Sequence, residues 1–182
     1  PRSRGLGDVY KRQTLEGILY RMRTGIQWRD LPSEFGLWNT VYRRFNLWSK
    51  KGILQKLFES LASEGDPEWL FLDGSIVKAH QDSSGAAGKQ DEAIGKSRGG
   101  NSTKIHLAVD SGGLPVYFEL SGGQVNDIVH AQSLIINSPQ ADIVCADKGY
   151  DSEAFRAYVE ESGADANIPR KRNNKLGNDD MD

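Results

Sequence analysis

One cysteine, Cys145, stands in 182 residues, which excludes an internal disulfide and a cysteine-rich zinc module. Histidine is nearly as scarce. His80, His106 and His130 fall at no spacing that puts two of them on one helix face, which argues against a histidine metal centre. No apolar stretch approaches the ~18 residues of a membrane span, and no signal-peptide pattern opens the chain. A cytoplasmic protein with no membrane partner is expected. Internal repeats are lacking as well. Gly95-Lys96-Ser97 has the ending of a phosphate-binding loop, but position 90 is Gln where that loop requires Gly. It also precedes a strand instead of joining a strand to a helix, so a nucleoside triphosphate site is rejected.

The charge is present but unevenly spread. A formal net charge of -2 divides into 12 Lys+Arg against 5 Asp+Glu in residues 1–60, and 11 against 20 in residues 61–182. The first third is therefore +7 and the remainder -9. A basic segment suits a polyanion, because each neutralised phosphate releases counterions. An acidic segment suits metal binding or simple solvation.

The apolar pattern changes with the charge. Leu15, Ile18, Leu19 and Met22 recur at helical spacing up to Gly25, and Trp38, Val41, Tyr42, Phe45 and Trp48 make a second stripe before Gly52. Ile53, Leu54, Leu57, Phe58 and Leu61 make a third. Three short helices with tight turns predict a helix-turn-helix-like domain over residues 14–64. On its second helix Thr40, Arg43, Arg44 and Lys51 lie off the apolar stripe, where they could meet DNA phosphates. Residues 1–13 show no period and read as a junction or non-native extension.

From residue 65 the spacing becomes that of strands. Trp69–Leu72 is a short apolar run with Asp73-Gly74 as its exit. Residues 81–103 read as a long loop, and Lys104–Val109 and Leu114–Leu120 as a hairpin. Asn126 or Asp127 can cap a helix through Ile135. Ile143–Ala146 is wholly apolar, as expected of a central strand buried on both faces, with Cys145 a buried thiol. Asp147 follows it, then a helix closed by Gly163 and a last strand at Ala166–Ile168. A mixed α/β core over 65–172 is expected, with a disordered polar tail at 173–182. The basic cluster Pro169-Arg170-Lys171-Arg172 is equally compatible with phosphate contacts and with solvation.

Asp73 and Asp147 each follow an apolar strand, and ligands of open α/β sheets gather at the carboxyl ends of strands. If the strands are neighbours, the two carboxylates converge and a hard divalent cation such as Mg2+ relieves their repulsion. The plainer reading is that Asp is common after strands because it favours turns and caps. Lys104 and Lys148 could then face substrate phosphates. His106 reads as a packed or hydrogen-bonded residue.

Three blocks resemble the bacterial insertion-sequence transposases, the DDE enzymes with a ribonuclease-H-like core. They are Phe71-Leu72-Asp73-Gly74-Ser75, Lys104-Ile105-His106-Leu107-Ala108-Val109-Asp110 and Ala146-Asp147-Lys148-Gly149-Tyr150-Asp151-Ser152. Gly25-Ile26-Gln27-Trp28-Arg29-Asp30-Leu31-Pro32 resembles the helical domain that precedes this core, and the likeness runs from about residue 14 to 172. The resemblance implies that Asp73 and Asp147 are the first two members of an Asp-Asp-Glu triad. It implies Mg2+ or Mn2+ as cofactor, double-stranded DNA (transposon ends and target) as partner, with Lys96, Arg98 and Lys104 of a loop near the active site touching it, and a homo-oligomer assembled on that DNA near the nucleoid. In that family the third acid is a Glu well downstream of the second Asp. Glu153, Glu160 and Glu161 fall too early, so an incomplete, C-terminally truncated core is expected, inactive as it stands. The alternative is a non-catalytic DNA-binding fragment that competes for transposon ends.

Overall fold

The computed structural model describes residues 3–63, 68–80 and 93–172, with side chains from residue 9 onward. The predicted tail at 173–182 and most of the predicted loop, residues 81–92, lie outside the described residues. The chain divides into two compact units, residues 1–58 and 59–182.

In the first unit, α1 (Ser3–Thr24) and α2 (Trp38–Lys50) are joined by two short 3-10 turns, Trp28–Asp30 and Ser33–Phe35. A third helix, α3 (Ile53–Ala62), begins after Gly52, whose φ of 65° is the left-handed turn that separates it from α2. The core of this unit is small. Ile18, Leu31 and Val41 are buried, with Ile26, Trp28, Phe35, Phe45 and Trp48 packed around them. Gly17 permits the close approach of this layer, because a Cβ there would lie 2.9 Å from Cβ of Phe35.

Two sequence expectations are corrected in α1. The helix continues back to Ser3, through residues read as an aperiodic extension. The period is weak at this end where side chains are described: Val9 is 67% exposed and Tyr10 46%. Nor is the whole apolar set of α1 internal. Ile18 is buried, while Leu19 and Met22 face solvent and Thr14 and Gly17 take their place.

The second unit is a six-stranded mixed sheet. Its strands are β1 (Trp69–Lys78), β2 (Gly95–Ser97), β3 (Gly100–Val109), β4 (Pro115–Gly122), β5 (Ile143–Ala146) and β6 (Asp165–Asn167). The order is β2-β3-β1-β5-β6, with β4 also paired to β3. The β1, β3 and β4 strands are antiparallel neighbours, whereas β5 joins β1 in parallel and β6 joins β5 in parallel. Helices α4 (Ile128–Ile136) and α5 (Glu153–Glu161) precede and follow β5. An antiparallel meander followed by helix, strand, helix and strand is the ribonuclease-H-like arrangement.

Both helices cover one face of the sheet. Leu70 and Leu72 of β1, Ala108 of β3, Val116 of β4 and Val144 of β5 turn toward Ala131 and Leu134 of α4 and toward Phe155 and Val159 of α5. The alternation of strand side chains sends Phe71, Asp73, Leu107 and Cys145 to the other face. That face is more open, which corrects the reading of β5 as buried on both sides. Only Val144 of its four residues is buried, and Cys145 is half-buried. Two boundaries also move. β1 does not end at Asp73 but runs on to Lys78, and residues 95–103, read as loop, form β2 and the start of β3.

Candidate functional site: two adjacent aspartates at a strand end

The register decides the site. Leu72 of β1 is the parallel partner of Ala146 of β5, and β5 ends there. The next residues are Asp73 and Asp147. Neighbouring strands lie about 4.8 Å apart, so the two carboxylates leave adjacent backbone positions on the same face of the sheet. Both are exposed. Beyond Leu72 the β1 strand has lost its β5 neighbour and is held on that edge by nothing in the β1–β5 ladder, while β3 continues alongside it to Lys78. The strands that carry the two aspartates are neighbours, as the sequence reading requires, although Asp73 sits inside a strand and not past its end.

Asp147 caps the short turn Lys148–Tyr150, its Oδ1 accepting from the Gly149 backbone N–H at 2.7 Å. Gly149 is needed there, because a Cβ would come 2.7 Å from the same oxygen. The turn drives Tyr150 back into the core at 1% exposure, and its hydroxyl has no hydrogen-bond partner among the described residues. Burial pushes the Tyr150 hydroxyl pKa well up, and the negative charges of Asp127, Asp73 and Asp147 push it further. The phenol therefore stays protonated and can only donate toward these carboxylates. Tyr150 stands in the sequence only as part of the Ala146–Ser152 block, with no role given to it.

A second group was also missed. On the helix-covered face of β3 and β4 lies a polar cluster of Lys104, His106, Glu119 and Ser121, closed by Asp127, His130 and Ser133. Lys104 donates to Asp127 Oδ2 at 2.8 Å and to the Val125 carbonyl at 3.1 Å. His106 is fully buried, 2.8 Å from Ser121 Oγ, 3.3 Å from Asp127 Oδ1 and stacked on His130 at 4.1 Å between ring centres. Asp127 occupies the cap position of α4 but makes no cap hydrogen bond, since its carboxylate is taken by Lys104. The sequence gives that Asp no mark distinguishing it from a cap.

Burial lowers the pKa of His106 below its ordinary 6.5, and the neighbouring His130 lowers it further. Burial alone would raise the Glu119 carboxyl, but hydrogen bonds from Ser133, His130 and Tyr117 prevail and hold it below 4.5. The consequence for stability has one sign. Unfolding returns His106 to its ordinary value, so protonation of the unfolded chain drains stability as pH falls from about 6.5 toward the lowered folded value, at up to about 1.4 kcal/mol per pH unit. Glu119 adds a second loss as pH falls below about 4.5 through its folded value. Urea denaturation between pH 7.5 and 5 should show the first decline, and His106→Gln should flatten it.

The cations expected at DNA fall into two sets. Arg43, Lys51, Lys96, Arg98 and Lys148 are exposed. Arg44 and Lys104 are engaged internally, which corrects the expectation that they are free to meet phosphates. Arg44 donates to Thr14 Oγ1 at 3.0 Å and lies over the Tyr10 ring at 4.4 Å. Lys104 is buried in its pair with Asp127. The three Glu residues after Asp147 do not reach it. Glu153 contacts Arg156 and Arg170, and Glu160 and Glu161 end α5 at the far end of the sheet, because α5 runs back to start β6 parallel to β5. Among the described residues, no three His, Cys, Asp or Glu side chains form a metal-holding group.

Comparison with known proteins then fixes the family. Residues 64–181 match the family "Transposase DDE domain", and residues 1–58 match "Putative transposase of IS4/5 family". The chain belongs to the DDE transposases. The curated relatives include the "Uncharacterized protein y4sN" of Sinorhizobium fredii, 35% identical over 98 residues, 54% of this chain and 72% of that protein. Another is the "Insertion element IS402 uncharacterized 16.2 kDa protein" of Burkholderia cepacia, 40% identical over 79 residues, 39% of this chain and 54% of that protein. The "Putative transposase for insertion sequence element IS402" of the same organism is 31% identical over 81 residues, and the match spans 38% of each chain. Solved structures with a likeness include a piggyBac transposase synaptic complex with hairpin DNA (TM-score 0.49, 11% identity, 92% of this chain and 42% of that one). A Mos1 transposase paired-end complex with left transposon end gives a TM-score of 0.37 at 15% identity, over 84% of this chain and 57% of that one. Several of these transposases are thus much longer than the part this chain matches. No helix among the described residues is long and apolar enough to cross a membrane.

Proposed function

We propose that this chain carries the DNA-binding front and the first two catalytic carboxylates of a transposase that cuts and rejoins DNA at insertion-sequence ends. The observation that carries the reading is the register Leu72–Ala146, from which Asp73 and Asp147 emerge side by side. The ligands suit a hard divalent cation: two short carboxylates, one within β1 and one directly after β5. Asp73 and Asp147 would hold Mg2+ or Mn2+, which when bound supplies activation of the attacking oxygen and neutralisation of the leaving one.

The remaining work belongs to the chain's own side chains. Asp147 keeps one oxygen on Gly149 N–H and so presents the other in a fixed direction. Lys148, exposed beside it, meets a backbone phosphate as a point charge, as do Lys96 and Arg98 around the β2–β3 turn. Residues 14–64 form the DNA-binding domain, with Arg43 and Lys51 facing duplex phosphates, and residues 65–172 belong to the catalytic core. Double-stranded DNA is the partner, transposon ends and target alike, on which the protein assembles as a homo-oligomer in the cytoplasm. Among the described residues no third acid joins Asp73 and Asp147 in a metal-holding group.

Calorimetric titration with Mn2+ tests the metal reading. Asp73→Asn and Asp147→Asn should each weaken binding tenfold or more while leaving thermal unfolding near that of the parent chain. Equal affinity in all three proteins would remove the pair from the metal site. A non-catalytic DNA binder is the second reading, favoured by the +7 charge of residues 1–60.

A further inference from the structure

Gly74 follows Asp73 in β1, and the space that a side chain would fill there is already occupied. A Cβ on Gly74 would lie 1.9 Å from Asp127 Oδ1 and 2.8 Å from its Cγ. The Asp127 carboxylate thus rests directly against the β1 backbone, on the face opposite to the one from which Asp73 projects. It is fixed there from β3. Lys104 holds Oδ2 at 2.8 Å, and His106, the register partner of Gly74, lies 3.3 Å from Oδ1. Lys104 is itself tied to the Val125 carbonyl, in the turn that leads to Asp127. This contact falls at the point where β1 has lost its β5 neighbour.

We propose that Asp127 is a positioning residue of the metal site: braced by Lys104, it backs the β1 strand at Gly74 and so sets the direction of the Asp73 carboxylate. The glycine of the Asp73-Gly74 pair is thereby explained. It is not a strand exit but the clearance that lets a carboxylate stand behind the catalytic strand. Asp127 acts through the backbone.

The inference rests on the metal reading of Asp73 and Asp147, and two readouts keep their failures apart. On the full 182-residue chain, amide hydrogen exchange is measured without metal, and Mn2+ binding is measured by loss of the free-ion electron paramagnetic resonance signal. Asp127→Asn removes the charge while keeping the shape. Exchange at Gly74 and Ser75 should rise at least about tenfold, with Leu107 and Phe118 of the β3–β4 ladder unchanged, and Mn2+ affinity should fall about fivefold or more. Asp127→Glu restores the charge but pushes the carboxylate into the β1 backbone, so it should not restore affinity. Lys104→Gln, which leaves Asp127 in place but unbraced, serves if Asp127→Asn does not fold, and should reproduce the local exchange.

A folded Asp127→Asn protein with exchange at Gly74 and Ser75 within twofold of the parent chain would overturn the proposal. So would full rescue of affinity by Asp127→Glu, which would make the effect one of charge alone. If Mn2+ binds the parent chain and is insensitive to Asp73→Asn, the metal reading fails first. The exchange result on metal-free protein still decides whether Asp127 backs the strand.

Discussion

Gly74→Ala is expected to cost the second unit about 2–4 kcal/mol, a loss far beyond that of an ordinary glycine-to-alanine change in a strand. Alanine usually improves a strand position by reducing the freedom of the unfolded chain. Here the added methyl would stand 1.9 Å from Asp127 Oδ1, well inside contact distance. Either β1 shifts or the carboxylate swings away from Lys104. The second route leaves an ammonium whose side chain is 11% exposed without its anion, which is the costly outcome for a buried pair. Asp127 is 26% exposed, so solvent recovers part of the loss, and the lower half of the range for a broken buried pair applies. Gly99→Ala is the control. Its nearest contact would be 3.8 Å away, and it should change stability little. Urea denaturation of the two variants separates a general glycine effect from this specific clash.

Arg156→Met should be as damaging, for a different reason. Arg156 is 6% exposed on α5 and donates to the Ile168 carbonyl at 2.6 Å and to Asp151 Oδ1 at 3.0 Å. Asp151 accepts its other bond from Lys171 N–H at 2.7 Å, and its carboxyl pKa is held low first by that bond and then by Arg156, against the opposing effect of burial. The arginine thus clasps three points: the turn after Asp147, helix α5 and the segment after β6. Methionine keeps much of the volume but leaves the Asp151 side chain, 7% exposed, without its guanidinium partner, a loss of about 3–5 kcal/mol. The melting temperature should drop by roughly 10 °C or more. Asp151→Asn in the same chain should recover part of it, because the stranded charge is then gone. A double-mutant cycle showing simple additivity would mean that the two residues do not act as a pair.

Much of this architecture was legible before any coordinates, and the reasons are physical. The periods of α2 and of residues 104–159 reflect faces that are buried, and burial writes itself into the sequence. The signal fades at the start of α1 and the end of β1, whereas α3 keeps its period although none of its residues is buried. The first turns of α1 expose Val9 and Tyr10, and the period vanished there. β1 past Leu72 is exposed at Ile76 and Val77, so the strand seemed to stop at Asp73-Gly74.

The candidate site divides along the same line. Asp73 and Asp147 could be found because each follows an apolar run and because the blocks around them resemble a known family. His106 reads as packed or hydrogen-bonded, and it is; the roles of Asp127, Glu119 and Arg156 depend on pairings across strands and helices that leave no local spacing. Arg44 and Lys104 illustrate the converse. Nothing in a sequence tells a lysine that pairs with a buried carboxylate from one that waits for a phosphate.

The central claim is that Asp73 and Asp147 share one cation, and paramagnetic broadening of amide resonances by Mn2+ tests it most directly. As substoichiometric Mn2+ is added to the isotope-labelled chain, resonances of residues 72–75 and 146–149 should disappear together and first. Asp147→Asn should spare the β1 set as well as its own. Broadening that begins at a different acidic cluster, or that strikes one strand end and leaves the other sharp, would contradict a shared metal site.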